Sequence, residues 1–110
     1  MGPPNRNISR ADEIAAHHAT TATNHLTQAL HWHRFALGLV GDRQVSLARC
    51  VELYAREAGR CARCSGQSTE LWYGRAPQAT AVHAIETAFL AGWQECDKVL
   101  SDSAQGRYVP

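Results

Sequence analysis

The sequence lacks long apolar runs, and it lacks an excess of charge of either sign. Its 110 residues carry 11 basic and 10 acidic side chains, which gives a formal net charge of +1. This balance excludes a protein whose whole surface attracts polyanions, so nucleic-acid binding would need a local basic patch. The longest apolar stretches span only a few residues, whereas a membrane span needs about 20, and a secretory signal needs an apolar stretch near its start. We therefore expect a cytoplasmic protein with no membrane segment.

Catalytic signatures are also scarce. The sequence has no glycine-rich phosphate loop, no recognisable set of nucleophile and base, and no pair of carboxylates with an obvious reason to be buried. These absences favour a protein that is not an enzyme.

Helical periodicity extends over most of the chain. Apolar residues recur every three or four positions, and no segment shows the alternation that is typical of a strand. A chain of this length can bury one core. The sequence predicts an all-α fold, an antiparallel bundle of three or four helices over residues 9–101, with disordered segments at 1–8 and 102–110.

The first helix is predicted to begin after Ser9, whose hydroxyl can accept a free backbone N–H of the first turn. Its apolar side includes Leu26, Leu37 and Val40, and the glycines that follow position 37 are typical of a helix end. The alternative is a break near residues 20–24, a run of weak helix formers.

A second helix is predicted from about 42 to 60, and a last helix from Pro77 to about 100, because proline fits the first turn of a helix. Turn formers at 61–67 predict a short Cys-x-x-Cys turn between these two long helices. One further helical turn is predicted at 68–73.

Two cysteines form the clearest chemical motif. Cys61 and Cys64 lie three positions apart, and two thiolates in a tight turn can bind one zinc ion. A closed site needs four ligands, and the remaining candidates are Cys50, His83 and Cys96. A disulfide or redox pair and unligated thiols are the alternatives for Cys61 and Cys64, while Cys50 and Cys96 also fit buried apolar positions. Zinc is the cofactor that this pattern favours.

Residues 60–66, followed by Glu70, resemble the zinc knuckle that opens many HNH-type endonucleases. The resemblance covers about a dozen residues and ends there, because His83 follows Val82 and not the aspartate of that family's catalytic pair. It implies a zinc-binding turn without hydrolytic activity.

Five of the six histidines lie between positions 17 and 33. On a regular helix His18, His25 and His33 fall on or beside the apolar side, whereas His17 and His31 face solvent, so we expect separate imidazoles and not one site. The alternative is a metal-dependent enzyme with a His/Glu site inside the bundle, which would combine such histidines with carboxylates from several helices.

Arginines form a stripe along the second helix, within about 60° at 100° per residue. Arginine and aromatic side chains dominate binding energy at interfaces, so this stripe and the residues that follow it are the predicted partner-binding surface. The set comprises Arg49, Arg56, Arg60, Arg63, Trp72, Tyr73 and Arg75. A solvated helix face is the alternative.

The sequence therefore predicts a small, non-enzymatic helical protein with a regulatory role. It would act by binding a macromolecular partner, either another protein or a second copy of itself, and a structural zinc turn would shape it. The alternatives are a nucleic-acid-binding accessory protein that uses the arginine stripe and the zinc knuckle, and the metal-dependent enzyme.

Overall fold

The computed structural model describes residues 9–104. Of the predicted disordered segments, 1–8 and most of 102–110 lie outside the described residues, whereas residues 102–104 are helical and the prediction of disorder is wrong there. Within residues 9–104 the chain forms helices and no strands, which confirms the all-α prediction, although five helices pack together in place of three or four. The helices are α1 (Arg10–Ala36), α2 (Asp42–Cys64), α3 (Thr69–Arg75), α4 (Pro77–Thr80) and α5 (His83–Ala104).

Helix α1 begins where the sequence predicts. The Ser9 Oγ accepts the backbone N–H of Asp12 at 3.1 Å. The helix continues through residues 20–24 without the alternative break. The threonine hydroxyls at 20, 21 and 23 each donate to the carbonyl four residues earlier, which pairs them within the helix. Ala22 is fully buried in the core, and such packing outweighs weak helix propensity.

Helix α2 is longer than predicted. It passes residue 60 and ends at Cys64, followed by Ser65 and by Gly66 with a φ of 78°. Cys61 and Cys64 therefore lie in the last helical turn and not in a separate turn. Gly59 does not end the helix because it is buried inside it.

The predicted last helix is divided in two. Pro77 occupies the first turn of α4 as expected, but α4 ends at Thr80 and α5 begins at His83. The division lets α4 contact α1 while α5 packs along α2. Helix α5 continues to Ala104, past the predicted domain end at 101.

Helix α2 is the centre of the fold. Helices α1 and α5 each pack along it, and they have little contact with each other. The molecule measures 58 × 40 × 21 Å, with a radius of gyration of 16.3 Å, where a compact domain of about 100 residues has about 13 Å. The three long helices thus form a flat layer and not a closed bundle.

Glycines bring α2 and α5 into close contact. A Cβ atom on Gly59 would overlap the carbonyl oxygen of Phe89, and a Cβ atom on Gly92 would overlap the carbonyl oxygen of Arg56. The two backbones meet at reciprocal positions, so neither glycine can gain a side chain unless the helices separate.

We predict that Gly92→Ala lowers the free energy of unfolding by about 1–3 kcal/mol, because overpacking outweighs the better helix propensity of alanine. Urea unfolding followed by circular dichroism measures this loss. Gly74→Ala on α3 is the matched control, since a Cβ atom there meets nothing within 4 Å. Equal stability of Gly92→Ala and the wild type would contradict the close helix contact.

Candidate functional site

The arginine stripe of α2 faces α5. Arg60 Nη2 donates to Glu95 Oε2 at 3.0 Å, and Arg63 Nε donates to Asp97 Oδ1 at 2.8 Å. Arg56 Nε lies 3.2 Å from Glu95 Oε1 without the geometry of a hydrogen bond. Partner binding by these three guanidinium groups stays a prediction, and a partner would have to compete with the two carboxylates of α5.

Glu95 joins two arginines of the stripe. The hydrogen bond from Arg60 lowers the pKa of Glu95 below its ordinary value, and the positive charges of Arg56 and Arg60 act in the same direction. The side chains of Glu95 and Arg60 are both 45% exposed, so solvent screens the pair. This ion pair orients the two helices more than it stabilises them.

The lowered pKa of Glu95 predicts a pH-dependent contribution to stability. A carboxylate with a lowered folded-state pKa stabilises the fold above its ordinary pKa of about 4.3 and loses that effect as the pH falls through the folded value. We expect Glu95→Gln to unfold at lower urea concentration than the wild type near neutral pH, and the two midpoints to converge in acid, as the pH falls below the lowered folded-state pKa of Glu95.

Glu52→Gln is the control for this pH series, because Glu52 is exposed in the middle of α2 and forms no salt bridge within the described residues. It should match the wild type at both pH values. A midpoint difference for Glu95→Gln that persists unchanged in acid would show that the carboxylate charge is not the cause.

Trp72 does not belong to any exposed surface, and the sequence interpretation is wrong at this residue. It is fully buried, with its ring 6.4 Å from that of Phe89. The guanidinium of Arg75 covers it at 5.2 Å from the ring centroid. Burial of this large apolar ring stabilises the fold. Because the ring is inaccessible to solvent, Trp72 cannot stack on bases while the protein is folded.

Tyr73 and Arg49 lie apart from each other. Tyr73 is half-buried, and its hydroxyl donates to Glu86 Oε2 at 2.7 Å. That hydrogen bond to a carboxylate raises the pKa of Tyr73. Arg49 is exposed and forms no salt bridge within the described residues. The predicted partner-binding residues therefore do not form one surface. Three arginines of α2 contact carboxylates of α5, Trp72 is buried, and the others are separate side chains.

The five predicted zinc ligands do not come together at one point. Cys61 is buried in the last turn of α2, while Cys64 is exposed and has its Sγ 3.7 Å from the Sγ of Cys96 on α5. Cys50 lines a different hollow, and His83 lies exposed at the start of α5. Among the described residues no group of three or more His, Cys, Asp or Glu could hold a metal ion. Zinc binding stays a prediction.

The environment of the thiols differs from one to the next. Burial raises the pKa of Cys96 to about 11, and the contact with Cys64 adds to the effect. Burial also raises the pKa of Cys61. Cys64 is the most accessible thiol of the three, so it is the one that a reagent in solution meets first.

The histidines are arranged as the sequence predicts. His18, His25 and His33 are half-buried, whereas His17 and His31 are exposed. The metal-dependent enzyme stays a prediction without further support from these positions.

Large apolar side chains are concentrated where α1 turns into α2. Leu37 is 68% exposed, Val40 87% and Val45 66%, and Phe35 in the last turn of α1 is also exposed. We call these residues the hairpin end. The sequence interpretation placed Leu37 and Val40 on the inner side of the first helix, but the helix ends at Ala36, so the two side chains leave its apolar side.

An apolar groove adjoins the hairpin end. It has a volume of about 290 Å³ and lies between the α1–α2 hairpin and the start of α5. Most of its lining is aliphatic and includes Leu37, Val45, Ala48, Val51 and Ala84. Projecting apolar side chains and an apolar hollow therefore occur in one patch of the surface.

A basic pocket of about 420 Å³ lies between α1 and the α3–α4 segment. Arg34, His31 and Arg75 line it together with Gln78, whose Oε1 accepts from Arg34 Nη2 at 3.4 Å. No carboxylate is among the described residues that line the pocket. Guanidinium groups without acidic neighbours suit an anionic ligand.

No family model, curated protein or solved structure matches this chain. No helix among residues 9–104 combines the length and the apolar character that crossing a membrane requires. The assignment of function therefore depends on the surfaces described above.

Proposed function

We propose that this protein is a non-enzymatic binding protein with a regulatory role, and that it acts as a homo-oligomer joined through the hairpin end. The observation that carries the proposal is the exposure of Leu37, Val40 and Val45 beside an apolar groove. A cytoplasmic location and a structural zinc ion are parts of the same proposal that rest on the sequence alone.

The exposed area of the hairpin end favours association. Contiguous apolar side chains at a surface typically mark an interaction site. Burying each exposed valine or leucine against an apolar partner contributes about 1.5–3 kcal/mol. Three such side chains, together with Phe35, in each of two copies can offset part of the entropy that association costs.

The shape of the patch favours a second copy as the partner. A two-fold interface joins one patch to itself, so the patch must contain both the projecting groups and the hollow that receives them. Val40 projects at the turn, and the groove opens beside Leu37 and Val45.

Charge favours the same partner. Asp42 and Arg43 are adjacent and exposed at the start of α2, so under two-fold symmetry the carboxylate of one copy can meet the guanidinium of the other. The net charge of +1 also causes little repulsion between copies.

Sedimentation velocity over a range of concentrations tests the proposal. We expect the wild type to shift from monomer to dimer, and Val45→Glu to weaken dimerisation tenfold or more, about 1.4 kcal/mol, because it would bury an unpaired charge. Leu53→Glu is the matched control, since Leu53 lies on the same helix, is 59% exposed and is outside the hairpin end.

Two outcomes would overturn the homo-oligomer. A wild type that stays monomeric at all concentrations removes it and leaves a different protein as the partner. An equal effect of Leu53→Glu and Val45→Glu would remove the hairpin end as the interface.

Nucleic-acid binding is the second candidate function, and the basic pocket is the observation that favours it. The pocket presents Arg34 and Arg75 without an acidic neighbour, whereas three arginines of the α2 stripe already contact Glu95 or Asp97. A phosphate group in the pocket would therefore not compete with an internal salt bridge.

Fluorescence anisotropy with a labelled single-stranded oligonucleotide tests this candidate. Phosphate contacts predict an affinity that falls steeply between about 50 and 200 mM salt. Arg75→Gln should weaken binding, whereas Arg49→Gln, an exposed arginine outside the pocket, should have less effect. Absence of binding at the lower salt concentration would remove the candidate.

A further inference from the structure

Two cysteines from different helices lie side by side. Cys64 is the last residue of α2, and Cys96 lies in the second half of α5, 32 positions later in the sequence. Their Sγ atoms are 3.7 Å apart. A disulfide bond needs a separation of about 2.05 Å, so the two sulfur atoms would have to approach each other by about a further 1.7 Å.

Ion pairs next to both cysteines hold these parts of α2 and α5 together and so keep the two thiols close to each other. Arg63 precedes Cys64 and donates to Asp97, the residue after Cys96, at 2.8 Å. Glu95, the residue before Cys96, accepts from Arg60 at 3.0 Å. The close backbone contact of α2 and α5 acts in the same direction. The two sulfur atoms therefore stay near each other without a covalent bond.

We propose that Cys64 and Cys96 form a reversible disulfide by exchange with a low-molecular-weight disulfide, and that this bond links the end of α2 to α5. Cys64 is exposed and meets the small disulfide first, while Cys96 is half-buried and completes the exchange. The site is thus a modification site whose co-reactant is a small disulfide such as oxidised glutathione.

The exchange takes place in two steps. The Cys64 thiolate attacks one sulfur of the small disulfide, which forms a mixed disulfide and releases a small thiolate. The Cys96 thiol, whose pKa is raised by burial, then loses its proton to solvent. Its thiolate attacks the Cys64 Sγ, which forms the protein disulfide and releases the second small thiolate. The protein thiols lose two electrons and two protons, and the small disulfide gains them as two thiols.

The bond would close a loop that contains α3 and α4. Linking two distant residues restricts the unfolded chain and so stabilises the folded state. The buried Trp72 lies within this loop, so its environment would be held more firmly in the oxidised protein. Small thiols in a reducing solution would open the loop again.

Titration of the full chain with mixtures of reduced and oxidised glutathione tests the proposal. Free thiols are then blocked by alkylation, and linked peptides are identified by mass spectrometry. Of the four cysteines, we expect only Cys64 and Cys96 to become linked to each other, whereas Cys61 is buried and stays alkylated, and the exposed Cys50 forms no protein disulfide. The oxidised protein should melt about 5–15 °C higher than the reduced protein.

Serine variants separate the roles of the cysteines. Cys96→Ser should stop at the mixed disulfide and gain the mass of one glutathione at Cys64. Cys61→Ser, one helical turn before Cys64, is the matched control and should form the Cys64–Cys96 link as the wild type does. Circular dichroism of each reduced variant verifies that it is folded.

Three results would overturn the proposal. The first is four free thiols at every glutathione ratio, and the second is a link from Cys64 to Cys61 in place of Cys96. The third is a Cys96→Ser variant that forms no mixed disulfide at Cys64 although it is folded.

Discussion

The close contact between α2 and α5 is the constraint on which the rest of the structure depends. Gly59 and Gly92 have no side chains at the points where the two backbones meet. At that separation the arginines of α2 reach Glu95 and Asp97, and the thiols at the end of α2 reach α5. Larger residues at the two glycines would force the helices apart and so lengthen both the ion pairs and the sulfur contact.

The arrangement of the helices around α2 also determines which apolar side chains remain exposed to solvent. Helix α2 packs against α5 on one side and α1 on another, and the two flanking helices have little contact with each other. Much of the core consists of alanine, with Trp72, Phe89, Leu26 and Ile85 as the large residues that are fully buried. A flat layer with small core residues has little internal volume for further large side chains, so those of the hairpin end remain at the surface.

Local signals made part of the fold predictable. The cap at Ser9 and the position of Pro77 depend on a few neighbouring residues, and the structure confirms both. The end of α2 was mispredicted because Gly59 is typical of a helix end when its neighbours in space are unknown. The division between α4 and α5 likewise depends on the helices that each of them packs against. Helical periodicity in the sequence carries no information about those neighbours.

The candidate sites were less predictable than the fold, because they join residues that are distant in sequence. Periodicity correctly placed Arg56, Arg60 and Arg63 on one side of α2, but it could not show that α5 supplies carboxylates to that side. Spacing drew attention to Cys61 and Cys64 as a pair. The signal for the closer pair was the position of Cys96 four residues after Gly92, on the face that α2 approaches.

The two surfaces with proposed roles lie at opposite ends of α2. Val45 and Cys64 are 19 positions apart in one continuous helix, and at 1.5 Å per residue this separates them by about 29 Å. A disulfide at one end leaves the side chains of the hairpin end at the other end where they are. On these two proposals, oxidation would change the stability of the chain and leave the hairpin end as it is, because the two sites share no contact and are joined by one continuous helix.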